Sequence, residues 1–217
     1  MKKNDAEILI LITQFETPFS NEKWELLLKE IPENLQLKVK EYKQWRDYHA
    51  SLLGNLLLKK GIQLSNLSVD LLKDVKYSEK EKPFISEAFF YNISHSGKYI
   101  ICAISLQNEI GVDVEKYRKI DFSLFNRFFT EKEWYEINNH QNPNSAFFEM
   151  WSLKESAIKA DGRGTIILSE TEKMDSEKII CDKKTWFYKK LNLDAGYAGF
   201  VCSKNKIENL KIIAFDF

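Results

Sequence analysis

Residues 110–115 read Ile-Gly-Val-Asp-Val-Glu, and residues 151–159 read Trp-Ser-Leu-Lys-Glu-Ser-Ala-Ile-Lys. The first stretch alternates apolar residues with Gly111, Asp113 and Glu115, the period of a strand, and its pleat turns both carboxylates to one face. The second stacks Trp151, Glu155 and Lys159 at helical spacing on one stripe. Each pattern also has a plain reading. One is an amphipathic strand with its acids in water, the other a surface ion pair worth about 0.3–0.5 kcal/mol.

Outward from these stretches, helices are predicted near 122–129, 130–138 and 145–160, with Gly162 and Gly164 breaking the last, and strands at 185–193, 196–202 and 211–215. Upstream, residues 8–14 read as a buried strand and 21–31 as a short helix stopped by Pro32. Leu35, Val39, Tyr42, Trp45, Leu52, Leu53 and Leu56 predict one long helix over 33–60, with Gly61 placed to end it. Strands follow at 71–77, 89–93 and 99–105. A polar turn at 106–109 divides the chain into two comparable halves, residues 1–108 and 109–217, giving a mixed helix and sheet protein of the α+β class.

Composition bounds the function. Hydrophobic residues make up 44% and charged residues 29% of the 217, the balance of a packed protein. Acids and bases number 32 each, so no overall field draws the chain to nucleic acid or an anionic membrane, and any anion site is local. Cys102, Cys181 and Cys202 have neither zinc nor disulfide spacing. The opening Met-Lys-Lys is interrupted by Asp5 and Glu7, and the apolar run of residues 8–12 is too short for a signal-peptide core. A cytoplasmic protein with no membrane span is the expectation.

If Asp113, Glu115 and Glu155 meet, each pair of carboxylates about 4 Å apart repels by roughly 4 kcal/mol at an effective dielectric near 20. A hard cation with oxygen ligands relieves this, and magnesium fits, whereas His49, His95 and His140 are too scattered for zinc. Asn92-Ile93-Ser94-His95-Ser96-Gly97-Lys98 packs two hydroxyls, an imidazole and an ammonium into one segment. That inventory suits a phosphate, and equally a hairpin whose hydroxyls cap backbone groups. Thr130-Glu131-Lys132-Glu133 has capping-box spacing, and Glu133 is open to a second role as a base. Lys38, Lys40 and Lys43 read as a solvated face.

In chain order, NISHSGKY, IGVDVEK, RFFTEKEW and WSLKESAIKADGRG together resemble the signature of the Sfp-type 4′-phosphopantetheinyl transferases, with WRDYHASLLG and the Lys82–Phe84 KPF as looser matches. The chain departs from the pattern at Glu81 and Ala50. The resemblance implies two similar α/β subdomains related by a pseudo-twofold, with coenzyme A between them and the protein usually a monomer. It implies that residues 1–108 carry nucleotide contacts and 109–217 the metal site and catalytic helix. Asp113, Glu115 and Glu155 are then expected to hold Mg2+, Ser94 and His95 to contact phosphates with Lys38, Ser51 and Lys82 as helpers, and Lys159 to neutralise phosphate charge. The expected reaction moves phosphopantetheine from coenzyme A to a serine of an acyl or peptidyl carrier protein, releasing adenosine 3′,5′-bisphosphate. Glu133 or a metal-bound water would take the proton. The alternatives are a non-catalytic coenzyme A or carrier-binding scaffold and a magnesium-dependent phosphodiesterase.

Overall fold

The structure is a computed structural model that describes residues 7–78, 82–86 and 88–217; the opening Met-Lys-Lys, Asp5 and Glu81 lie outside the described residues. The first half runs β1 (Glu7–Gln14), α1 (Asn21–Leu28), α2 (Glu33–Lys40), α3 (Trp45–Leu64), a 3-10 turn (Val69–Asp74), β2 (Lys76–Tyr77), β3 (Pro83–Phe84), β4 (Phe90–Ser96) and β5 (Tyr99–Ser105). The second runs β6 (Ile110–Lys116), a 3-10 segment (Phe122–Phe128), α4 (Glu131–Asn138), α5 (Pro143–Asp161), a 3-10 turn (Thr165–Glu170), β7 (Thr171–Lys173), β8 (Lys178–Cys181), β9 (Lys184–Lys190), β10 (Tyr197–Ser203) and β11 (Asn209–Ala214).

Two main sheets result, in the orders β11-β1-β5-β4 and β6-β10-β9-β8-β7. Helix α3 covers one face of the first sheet, burying Leu11, Cys102 and Ile104 with Leu53, Leu56 and Leu57. The other face, with Ile8, Ile10, Ile101 and Ala103, packs against Val112, Val114 and Val201 of the second sheet. Coverage on both faces is why Tyr99–Ser105 is an unbroken apolar run ending in serine, buried at every position. Helix α5 covers the far face of the second sheet over Phe147, Leu153, Ala157, Ala198 and Phe200. Among the described residues no helix is long and apolar enough to cross a membrane.

Several expectations need correction. The helix expected over 33–60 is two helices broken at Glu41-Tyr42-Lys43-Gln44, because Tyr42 stays exposed and nothing holds the apolar stripe in phase across it. Gly61 does not stop the helix: it lies inside α3, where an added Cβ would meet Ile104 Cδ1 at 2.0 Å, so its bareness lets the helix settle on the sheet. Residues 71–77 are mostly a 3-10 turn, and the short β7 and β8 went unforeseen. The last strand does not stay with the second half. It returns to pair in parallel with β1, Ile8 opposite Leu210 and Ile12 opposite Ala214. That pairing covers the backbone edge that the buried β1 would otherwise expose.

Candidate active site

On β6 the pleat sends Val112 and Val114 into the core between the sheets and leaves Gly111, Asp113 and Glu115 on the alternate side. Gly111 is the crossing point with α5: a Cβ there would meet the backbone Ser156 oxygen at 2.2 Å and Ala160 nitrogen at 2.3 Å. The helix therefore rides directly on the strand, and its Trp151–Glu155–Lys159 stripe faces the strand's acids. Ile93, Ser94, His95, Asp113, Val114, Glu115, Trp151, Glu155 and Lys159 line one cleft of about 400 Å³. Three segments far apart in sequence thus share one wall. Gly162, at φ 86°, takes the left-handed conformation that closes α5.

Within the cleft, Asp113 is the hub. Its Oδ1 accepts from Lys159 Nζ at 2.7 Å and from the Ser94 hydroxyl at 3.1 Å, while its buried Oδ2 has no hydrogen-bond partner. Ser94 Oγ in turn accepts from Lys159 Nζ at 3.0 Å and from the Val114 amide at 3.3 Å. Glu115 pairs with Arg118 at 3.2 Å and accepts from Ser96 Oγ at 3.4 Å. Burial, then Asp113, raises the pKa of Glu115 against the pull of Arg118. Burial and then Asp113 push Glu155 up to about 7, with Lys159 opposing and Glu115 adding to the rise. Glu115 and Glu155 thus both feel the Asp113 charge, as crowded acids do.

The donor set fits a hard divalent cation: three carboxylates and a hydroxyl on one wall, and an orphaned buried carboxylate oxygen whose desolvation costs about 1–3 kcal/mol or more if nothing positive approaches it. As they stand, the side chains are not drawn into a cage, and no group of three or more acidic, histidine or cysteine residues gathers at metal-holding distance among the described residues. Lys159 pairs with Asp113 and Arg118 with Glu115.

His95 is exposed at the cleft mouth, yet the protein mass around it and the Lys159 charge lower its pKa, with Asp47 and Asp113 opposing. Ser51 lies on α3 one turn beyond Asp47, half-buried, and does not line the cleft. Lys38 and Lys82 do not line the cleft. Lys38 pairs with Glu41 at 3.4 Å and lies over the Tyr77 ring. Lys82 donates to the Ala160 carbonyl at 3.1 Å, tying the first half to the end of α5, and burial lowers its pKa.

Glu133 stays out of the cleft as well. It closes a full capping box with Thr130 and forms a 2.7 Å ion pair with Lys154, both side chains all but inaccessible. Its other oxygen accepts from the Lys173 amide at 3.3 Å. Those bonds use the carboxylate structurally, and the base role expected of it has no geometric support. A larger hollow of about 460 Å³, lined by Ile137, Met150, Leu153 and Phe200, lies on another face of α5 and holds none of the expected site residues.

The sequence reading missed Arg118, took Gly111 only as part of a strand period, and took Asn92 and Ser96 only as part of a phosphate-suited segment. Asn92 Oδ1 accepts from the Val112 amide at 2.9 Å and Ser96 Oγ from the Lys116 amide at 3.0 Å. The signal was present as Asn-x-Ser-x-Ser, short polar side chains at the period of a strand.

Comparison with known proteins adds a second line of evidence. Residues 109–200 match the sequence model of the 4′-phosphopantetheinyl transferase superfamily, and residues 17–107 that of the 4′-phosphopantetheinyl transferase N-terminal domain. The chain is 39% identical over 129 residues to 4′-phosphopantetheinyl transferase gsp of Aneurinibacillus migulanus, covering 58% of this chain and 54% of that protein. It is 33% identical over 153 residues to 4′-phosphopantetheinyl transferase Sfp of Bacillus subtilis, 68% of this chain and 67% of that one. With 4′-phosphopantetheinyl transferase ffp of Bacillus subtilis it shares 30% over 204 residues, 86% and 88% of the two chains. The match thus spans about half of the first relative and most of the third.

Proposed function

Since the chain belongs to the 4′-phosphopantetheinyl transferase superfamily, we propose that it transfers the 4′-phosphopantetheine of coenzyme A to a serine of an apo acyl or peptidyl carrier protein. The observation that carries the reading is the convergence of Asp113, Glu115, Glu155 and Lys159 on one cleft, with the buried Oδ2 of Asp113 unpartnered. Asp113, Glu115 and Glu155 would hold Mg2+, which supplies positive charge to the diphosphate of the donor.

The chain's own residues do the rest. The carrier serine oxygen attacks the β-phosphorus, forming a new P–O bond, while the bond from that phosphorus to the bridging oxygen breaks and adenosine 3′,5′-bisphosphate leaves with the electron pair. Lys159, which donates to the Ser94 hydroxyl at 3.0 Å, offsets the charge that gathers on the leaving group. His95, its pKa lowered, is neutral at physiological pH and offers one N–H to a phosphate oxygen. Lys38 and Lys82 serve the nucleotide only if their present contacts open. The hydroxyl proton passes to a cleft carboxylate or to solvent, since Glu133 is committed elsewhere.

In this reading residues 1–108 provide nucleotide contacts and residues 109–217 the acids and the catalytic helix, with β11 serving the first sheet. The carrier meets the aromatic segment after β6. There Phe122 and Phe125 pack on Phe147 at 4.8 and 5.2 Å, while Leu124 remains 72% exposed. Intact-mass measurement of an apo carrier incubated with the protein, Mg2+ and coenzyme A should show one added phosphopantetheine. No gain across acyl and peptidyl carriers would defeat the reading, and free phosphopantetheine released without carrier would indicate a phosphodiesterase.

A further inference from the structure

Sheets β11-β1-β5-β4 and β6-β10-β9-β8-β7 meet where β4 faces β6, and no backbone ladder joins those two strands. Three β6 amides are instead taken by side chains of β4 at every second residue: Val112 by Asn92 at 2.9 Å, Val114 by Ser94 at 3.3 Å and Lys116 by Ser96 at 3.0 Å. Val112 and Val114 are buried, so without those acceptors their amides would be orphaned edge donors. Two teeth of this comb also reach the acids between the amides, Ser94 to Asp113 Oδ1 at 3.1 Å and Ser96 to Glu115 Oε2 at 3.4 Å.

We propose that Asn92, Ser94 and Ser96 form a positioning comb that sets the register of β6 against β4 and so aims Asp113 and Glu115 into the cleft. The inference rests on the transferase reading and deepens it: Asn92 and Ser96 line no part of the reaction path and act through the acids. The physical reason is the period of the strand. A backbone ladder would bring the strand edges together and leave no room for side-chain contacts to the acids. Acceptors on short side chains hold the amides of Val112, Val114 and Lys116 while their hydroxyls donate to the carboxylates in between. A hydroxyl that accepts from an amide and donates to the neighbouring carboxylate fixes one oxygen and leaves the other free. For Asp113 that free oxygen is the unpartnered Oδ2.

The test uses the full chain and the variants Ser96→Ala, Ser96→Thr and Asn92→Leu. Amide hydrogen exchange is read at Val112 and Lys116, together with the magnesium concentration for half-maximal transfer and the melting shift produced by magnesium chloride with coenzyme A. Ser96→Ala should lose protection at Lys116 and raise the half-saturating magnesium about 10-fold, the usual loss when a partner that orients a metal ligand is removed. Its melting shift should shrink and its KM for the carrier stay unchanged, while Ser96→Thr restores every readout. Asn92→Leu should do the same through Val112. Because Ser96 is partly exposed, its variant keeps the test open even if Asn92→Leu does not fold. Variants that lose amide protection but keep the wild-type magnesium response would overturn the proposal, leaving the comb as structural adhesion only. Unchanged protection would overturn it too. A wild-type protein with neither magnesium-dependent transfer nor a melting shift would sink the transferase reading itself, a different outcome from variants that match a responsive wild type.

Discussion

Glu155 carries the plainest record of crowding in the cleft, a carboxyl pushed up to about 7 by burial and by Asp113. Replacing it with Gln keeps the shape and removes one of the repelling charges. Transfer by Glu155→Gln should fall below detection in the intact-mass assay while the melting temperature holds or rises; activity near wild type would refute its place among the cation ligands. Glu133 makes the opposite case. Glu133→Ala strands the buried Lys154 ammonium and should cost about 3–5 kcal/mol in urea denaturation, yet the folded fraction should keep its turnover number. His49 supplies a pH dependence that one substitution isolates. Its Nε2 accepts from the Phe19 amide at 3.0 Å, so its Nδ1 donates to the Trp45 carbonyl at 2.7 Å, and burial lowers its pKa. A neutral ring in the fold and an ordinary value near 6.5 in the unfolded chain mean that this stabilisation is whole above pH 6.5 and fades as pH falls through the lower folded value. The His49 contribution is read as the difference in denaturation midpoint between wild type and His49→Gln, which should be full above pH 6.5 and narrow as pH falls below it.

Strand β6 and helix α5 form the working pair, and Gly111 decides how close they come. Gly111→Ala would drive a methyl into the helix backbone, so it should lower stability by about 1–3 kcal/mol, the usual cost of overpacking, and reduce transfer more than that loss explains. Full transfer in a folded Gly111→Ala protein would show that the helix has freedom the structure denies. The 3-10 segment between them offers a surface experiment: Leu124→Glu should raise KM for the carrier and leave coenzyme A affinity intact. Both members of the pair were legible in the sequence because each satisfies one clear period over its whole length. The helix expected over 33–60 was not. Tyr42 and Trp45 fit a helical stripe on spacing alone, and spacing does not reveal that residues 41–44 have no apolar surface to lie on.

For the molecule as a whole, the polar turn at residues 106–109 could be read from the sequence, but the crossing of β11 back to β1 could not. A short C-terminal strand carries the same pattern whichever sheet receives it, and only the open edge of β1 selects the first. The same holds for the seam. Asn92, Ser94 and Ser96 looked like a phosphate turn because the same short side chains can donate to an anion's oxygens or accept from a backbone amide. Of the expected site, Ser94, His95, Asp113, Glu115, Glu155 and Lys159 share the cleft, whereas Lys38, Lys82 and Glu133 hold structural partners. The cleft's chemistry turns on whether its acids take up a cation that grips the donor diphosphate. Calorimetric titration of coenzyme A into the wild-type protein and Asp113→Asn, with and without Mg2+, addresses that directly. Mg2+ should tighten binding to the wild type and have little effect on Asp113→Asn; equal affinity for coenzyme A in all four titrations would mean that no such cation site exists.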